Sequence, residues 1–171
     1  SFKDKVSMSN LCQEITLPTT PIKSIDDPEG EIALCILSAI NVGAIGNLSE
    51  LEGLCDLSVR ALDEIIELQD YPVKAAEVST KSRRSLGIGY IGLAHYLAKN
   101  GVKYSDPKAW ELVDRLSEAF QYYLLRASCD IAEEKGKCTA FDRTKYADGL
   151  LPIDHYKKEV DEIVTHKQRM A

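Results

Sequence analysis

No two of the five cysteines stand in a Cys-x-x-Cys spacing, so the thiols give no sign of a zinc or iron–sulfur site. Their odd count and wide separation also lack the even framework of a small secreted domain. Cys12, Cys35, Cys55, Cys129 and Cys138 therefore read as free thiols of a reducing cytoplasm. Positive charge is in deficit: 21 Lys+Arg against 27 Asp+Glu leave a net charge of -6. That balance argues against a nucleic-acid surface, which is normally basic, and against an anionic membrane. No apolar run approaches the roughly 18 residues of a spanning helix. The opening Ser-Phe-Lys-Asp-Lys-Val has neither an apolar signal region nor an initiator Met, so a processed or excised piece is expected. There is no internal repeat and no low-complexity stretch. His95, His155 and His166 are scattered, with no metal-ligand spacing.

What is present is an ordinary globular composition over 171 residues, enough for one domain with a real core. Residues 6–17 alternate loosely and predict an extended segment or loop running into a short strand, stopped by Pro18. Residues 18–30 carry Pro18, Pro21, Pro28 and Gly30 and predict a loop. The apolar run 31–45 predicts, in its first half, a strand buried on both faces, although the pattern alone also fits a buried helix. Ser49 and Glu52 form the pattern of a capping box, and Leu51, Leu54, Cys55, Leu62, Ile65 and Ile66 then fall on one helical face. Tyr71-Pro72 ends that helix. Residues 73–84 are polar and close on Arg83 and Arg84, for which a solvated or interface-pairing role is expected. A second short strand is expected over 85–91 and a helix over 90–99, closed by Asn100-Gly101.

The strongest helix is expected over 107–135, with Asp106 as N-cap and Pro107 at its first position. Val113, Leu116, Phe120, Tyr123, Ala127 and Ile131 form its stripe, and Gly136 stops it. At about 1.5 Å per residue it is a rod of roughly 43 Å. Trp110, Tyr122 and Tyr123 on it are expected to pack in a core. Asp154 can cap a last helix over 155–164. Two or three short strands are too few for a standard parallel sheet of about 5–6 strands, so part of the fold is expected to lie outside this chain.

Two patterns bear on chemistry. Gly87-x-Gly89-x-x-Gly92 matches a dinucleotide fingerprint, but its upstream residues are charged, and close packing by small residues is the preferred explanation. The second is Ser9-Asn10-Leu11-Cys12-Gln13-Glu14-Ile15. In an extended chain Asn10, Cys12 and Glu14 would share one face and converge on one ligand. Taken on spacing alone, Cys12 reads equally as a small buried apolar residue with two polar neighbours in a loop.

The string Ser-Asn-Leu-Cys-Gln-Glu-Ile, followed by Leu17-Pro18-Thr19, resembles the active-site finger loop of class I ribonucleotide reductase large subunits. The likeness continues in order through Gly30-Glu31-Ile32-Ala33-Leu34-Cys35, Gln69-Asp70-Tyr71-Pro72, Arg83-Arg84-Ser85-Leu86-Gly87-Ile88-Gly89, Gln121-Tyr122-Tyr123-Leu124-Leu125 and Leu151-Pro152-Ile153-Asp154. It is closest to enterobacterial and bacteriophage types. The resemblance implies a helix-rich α/β fold, a partial piece of the ten-stranded reductase barrel over 1–164, with the finger loop at about 6–17 and a divergent tail at 165–171. It implies that Cys12 becomes a thiyl radical and that Glu14 is the base for the 3′-hydroxyl. Asn10 hydrogen-bonds the sugar, Leu11 lies on the same substrate surface, and Cys35 is one of two redox-active thiols. In the family the radical comes from a metal-containing small subunit, and thioredoxin or glutaredoxin restores the dithiol. No cofactor is expected in this chain. The other reducing cysteine and the relay tyrosines belong to other parts of the subunit, so the chain is expected to be inactive alone, to depend on the remaining segments, and to self-associate through exposed strands. The competing expectation is a non-enzymatic helical interaction module with structural cysteines.

Overall fold

A computed structural model describes residues 3–7, 9–11, 13 and 16–154. Its framework is β1 (Ile36–Asn41), α1 (Glu50–Leu68), α2 (Lys74–Arg83), β2 (Leu86–Ile91), α3 (Leu93–Lys99) and α4 (Pro107–Lys135), followed by two short 3-10 turns. β1 and β2 pair in parallel, Ile36 opposite Leu86 through to Asn41 opposite Ile91. A parallel pair needs a long crossover, and α1 with α2 supplies it.

The register decides which side chains meet the helices. Ile40, Ile88 and Tyr90 join Leu51 and Cys55 of α1 and Leu116 and Phe120 of α4 in one apolar cluster, with Tyr90 and Phe120 edge to face at 5.4 Å between ring centres. The other face carries Leu37, 60% exposed, and Ile91, 56% exposed. The expectation of a strand buried on both faces is therefore corrected. Among the described residues the strand pair is covered on one side only, and β1 alternates between sheltered and exposed positions.

α1 buries Leu51, Cys55, Val59, Leu62 and Ile66, a continuous i, i+3/i+4 stripe. Ile65 lies off it and is 41% exposed. The capping box does not form: the Ser49 side chain makes no cap bond. Glu50 Oε1 instead accepts from the Gly46 and Asn47 N–H groups at 2.9 and 3.1 Å, while the Ser49 N–H and hydroxyl donate to Asn47 Oδ1. The first N–H groups of the helix itself, on Glu50, Leu51 and Glu52, donate to the carbonyls of Asn47, Leu48 and Ser49.

α2 was not expected. Its buried face is made of Ala75, Ala76, Ser79, Thr80 and Arg83, small or polar residues that leave no apolar period. Thr80 satisfies its hydroxyl by donating to Ala76 O at 2.7 Å, and Lys74 and Lys81 pair with Glu77 on the outer side.

α4 has the expected bounds. Asp106 stands at the N-cap position without a side-chain cap bond; its carboxylate accepts from the Lys103 N–H at 2.8 Å, closing the preceding turn. Leu116, Phe120, Ala127 and Ile131 are buried as the stripe requires. Trp110, 71% exposed, and Tyr122, 58% exposed, depart from the expectation of core packing: they lie off the face that meets α1 and the sheet. Tyr123 alone packs against the core. The helix expected over 155–164 lies outside the described residues, but 152–154 are already helical, and Asp154 accepts from the Leu151 N–H at 2.7 Å. The helical turn begins at Pro152, ahead of Asp154.

Candidate functional site

Cys35 stands immediately before β1. Residues i and i+2 of an extended segment share a face, which sets Cys35 with Leu37 on the side away from α1 and α4. Gly87 of β2 confirms the placement. A Cβ built there would come within 2.6 Å of Leu37 Cδ2 and 3.1 Å of Cys35 Sγ. Glycine thus leaves the room that the Cys35 thiol occupies. The thiol is half-buried and lies 3.9 Å from Ile36 O.

The same geometry disposes of the dinucleotide fingerprint. Gly87 and Gly89 lie inside β2, not in a turn between strand and helix. Only Gly92 sits at a helix entrance, at φ +78, where any side chain would collide with Asn41 Oδ1. Gly87 and Gly92 serve close packing, against a neighbouring strand and its loop, whereas a Cβ at Gly89 would meet nothing within 4 Å.

Of the finger-loop residues, Asn10 and Leu11 are described, whereas Cys12 and Glu14 lie outside the described residues. Leu11 is 97% exposed. Asn10 is exposed; its side-chain oxygen accepts from the Ser9 hydroxyl at 3.3 Å and its carbonyl from the Gln13 N–H at 3.0 Å. Gln13 has φ +63. An i to i+3 bond with a left-handed residue is turn geometry, so of the two courses expected for this stretch Asn10 and Gln13 fit the loop.

The base of this loop is held by charges that the sequence reading left unassigned. Arg83, whose side chain is 1% exposed, donates from Nη1 to Asp4 Oδ2 at 2.9 Å. From Nη2 it donates to Glu31 Oε2 at 2.8 Å and from Nε to Glu31 Oε1 at 3.2 Å. Arg143 also donates to Asp4, at 2.8 Å to Oδ2. Glu31 further accepts from the Thr20 hydroxyl at 3.0 Å, and the two backbones form an isolated antiparallel bridge. Arg84 turns the other way, to Asp63 Oδ1 at 2.7 Å and Asp63 O at 2.9 Å. Both arginines are thus internal pairing groups, not solvated or interface ones. The pattern gave only their charge; the acids that meet them are 52 and 79 residues away for Arg83.

Partial burial raises the pKa values of Asp4 and Glu31, but the arginine hydrogen bonds outweigh it and hold both below the ordinary carboxylate range. A depressed folded pKa contributes stability above the unfolded value, about 4, and loses it as pH falls through the folded value. The thermal midpoint should therefore hold from neutrality to about pH 5 and fall below about pH 4. An Asp4→Asn/Glu31→Gln double variant should show a shallower fall; a curve of unchanged shape by calorimetry would contradict the assignment.

The remaining thiols differ from Cys35. Cys55 is buried in the core and burial pushes its pKa up to about 11, so it is an inert apolar group. Burial also raises Cys138, and Cys129 is exposed on α4. No group of three or more His, Cys, Asp or Glu among the described residues could hold a metal ion, and no described helix is long and apolar enough to cross a membrane.

A parallel strand pair with helices on one face, its other face open and bearing a thiol, is an incomplete, unclosed α/β sheet. Comparison with known proteins names the family. The ribonucleotide reductase barrel-domain model matches residues 1–170, including all but the last residue of the 165–171 tail, and the chain belongs to that family. It is 59% identical over 158 residues to the ribonucleoside-diphosphate reductase subunit alpha of Buchnera aphidicola from Schizaphis graminum, covering 92% of this chain and 21% of the relative. It is 56% identical over 158 residues to subunit alpha of reductase 1 of Escherichia coli, covering 92% and 21%. The phage T4 subunit alpha is 40% identical over 167 residues, covering 96% and 21%. The chain thus spans about a fifth of the length of these relatives.

Proposed function

We propose that this chain supplies the radical-bearing part of a ribonucleoside-diphosphate reductase, in the path of deoxyribonucleotide synthesis for DNA replication. The observation that carries the reading is the Cys35 thiol on the open face of the strand pair, with Gly87 keeping space beside it. Cys35 lies four residues beyond the Glu31 end of a loop that bears Asn10, Cys12 and Glu14.

In this reading Cys12, as a thiyl radical, takes the hydrogen atom from C3′ of a ribonucleoside diphosphate. Glu14 accepts the 3′-hydroxyl proton, and Asn10 and Leu11 hold the sugar. The 2′-hydroxyl leaves as water. Cys35 and a second thiol from another segment of the subunit supply two electrons and two protons and end as a disulfide. Glu14 then returns the proton to the 3′-oxygen, and Cys12 returns its hydrogen atom to C3′. A thiol suits the first step because it exchanges hydrogen atoms with a sugar C–H at modest cost. A carboxylate suits the second because it must reach the hydroxyl at hydrogen-bond distance. The radical originates in a metal-containing small subunit, and thioredoxin or glutaredoxin re-reduces the disulfide by exchange. The described cysteines are thiols, as in a cytoplasmic enzyme.

The exposed Leu37 and Ile91 fit burial against the remaining barrel strands, or self-association of the chain when those are absent. The test is substitution of the corresponding segment of a relative's alpha subunit by this chain. The chimera, assayed with the small subunit, should reduce ribonucleoside diphosphates, and the 171-residue chain alone should not. A correctly folded chimera without turnover would refute the assignment.

A further inference from the structure

We infer that Arg83 is a positioning residue: by holding both ends of the loop that carries Asn10, Cys12 and Glu14, it sets where that loop stands relative to Cys35. The inference rests on the roles proposed above and adds a residue to them. Its basis is connectivity. Asp4 enters the loop, and Thr20 and Glu31 leave it. All three meet in one cluster: Asp4 and Glu31 on the Arg83 guanidinium, Thr20 on Glu31 through its hydroxyl and backbone. The residues on either side of 5–19 are thus fastened at one point.

The arginine's backbone is fixed on the other side. Arg83 ends α2, and two residues later Ser85 O accepts from the Ile36 N–H at 3.2 Å, beside Cys35. One residue therefore links the loop's base and the strand start next to the thiol. A planar fork with donors in several directions can hold two carboxylates at once, whereas an ammonium is a point charge on a flexible stem. Arg83 has both carboxylates within 2.9 Å, and its own side chain is 1% exposed, so water competes poorly for these bonds. Arg143 also joins the cluster and braces Asp4 from the turn after α4.

A merely structural ion pair would change stability alone. A positioning pair also changes how often the two thiols meet. The chain carrying Cys129→Ser and Cys138→Ser keeps Cys12, Cys35 and the buried Cys55. Cross-linking of Cys12 to Cys35 by a short bis-maleimide, followed by peptide mapping, reads their encounter rate. Arg83→Lys and Asp4→Asn should each slow the cross-link several-fold. Arg60→Gln, which removes an exposed ion pair between α1 and α4, should leave it unchanged. Should Arg83→Lys fail to fold, Asp4→Asn decides, because it removes only the loop-entry carboxylate, and its effect is judged at a temperature where its melting curve is still fully native. Unchanged cross-linking in a folded Asp4→Asn or Arg83→Lys chain would overturn the inference. Absence of any Cys12–Cys35 cross-link in the parent would instead refute the proposed site itself, and the positioning role with it.

Discussion

Replacing Cys35 by serine in a chimeric alpha subunit should reduce multiple-turnover reduction of ribonucleoside diphosphates to the assay background while leaving the fold intact. Reduction of a C–OH bond to C–H consumes two electrons. A serine hydroxyl cannot supply one of them or close a disulfide, so no external dithiol can restore the cycle by exchange. The side chain is half-buried on the open face of the strand pair and belongs to none of the apolar clusters. Exchanging sulfur for oxygen there should shift the thermal midpoint little. The control is Cys55→Ser, whose effects run the other way. Cys55 is fully buried between α1 and the sheet, so a hydroxyl in its place would cost stability without touching the redox chemistry. Full turnover by a Cys35→Ser chimera would remove Cys35 from the mechanism.

Leu116→Ala should be the most destabilising of the single changes considered, by about 2–5 kcal/mol. Leu116 is 0% exposed and sits where α4 meets α1 and the strand pair, so truncation leaves a cavity lined by several elements. For a chain of this length that loss lowers the melting midpoint by on the order of 10 °C. Leu57→Ala on α1 is the matched control: the residue is 65% exposed, and its loss should stay within about 0.5 kcal/mol. Calorimetry on both variants checks the ranking, and equal midpoints would contradict the placement of the core.

Several elements were legible because their signals are local. The bounds of α4 follow from a proline at its first position, a glycine after its last and a long apolar stripe between them. β2 follows from a short apolar run, and α3 from its closure at Asn100-Gly101. α2 was invisible because its buried face is alanine, serine, threonine and arginine, and periodicity reads only apolar side chains. The capping box failed because Asn47 Oδ1 takes the Ser49 N–H and the Ser49 carbonyl takes the Glu52 N–H. Between an extended segment and a loop over 6–17 the sequence left the choice open, and the positive φ of Gln13 is a feature that no alternation rule registers.

The sequence by itself determined the family, because long, collinear motifs with specific residue types need no coordinates to be matched. It also determined which thiol, amide and carboxylate are candidates for chemistry. Only the tertiary structure decided that Cys35 faces away from the helices beside Gly87, and that Arg83 fastens Asp4 and Glu31. Those facts depend on strand register and on groups tens of residues apart, and burial, which makes such pairings strong and selective, exists only once the chain has folded.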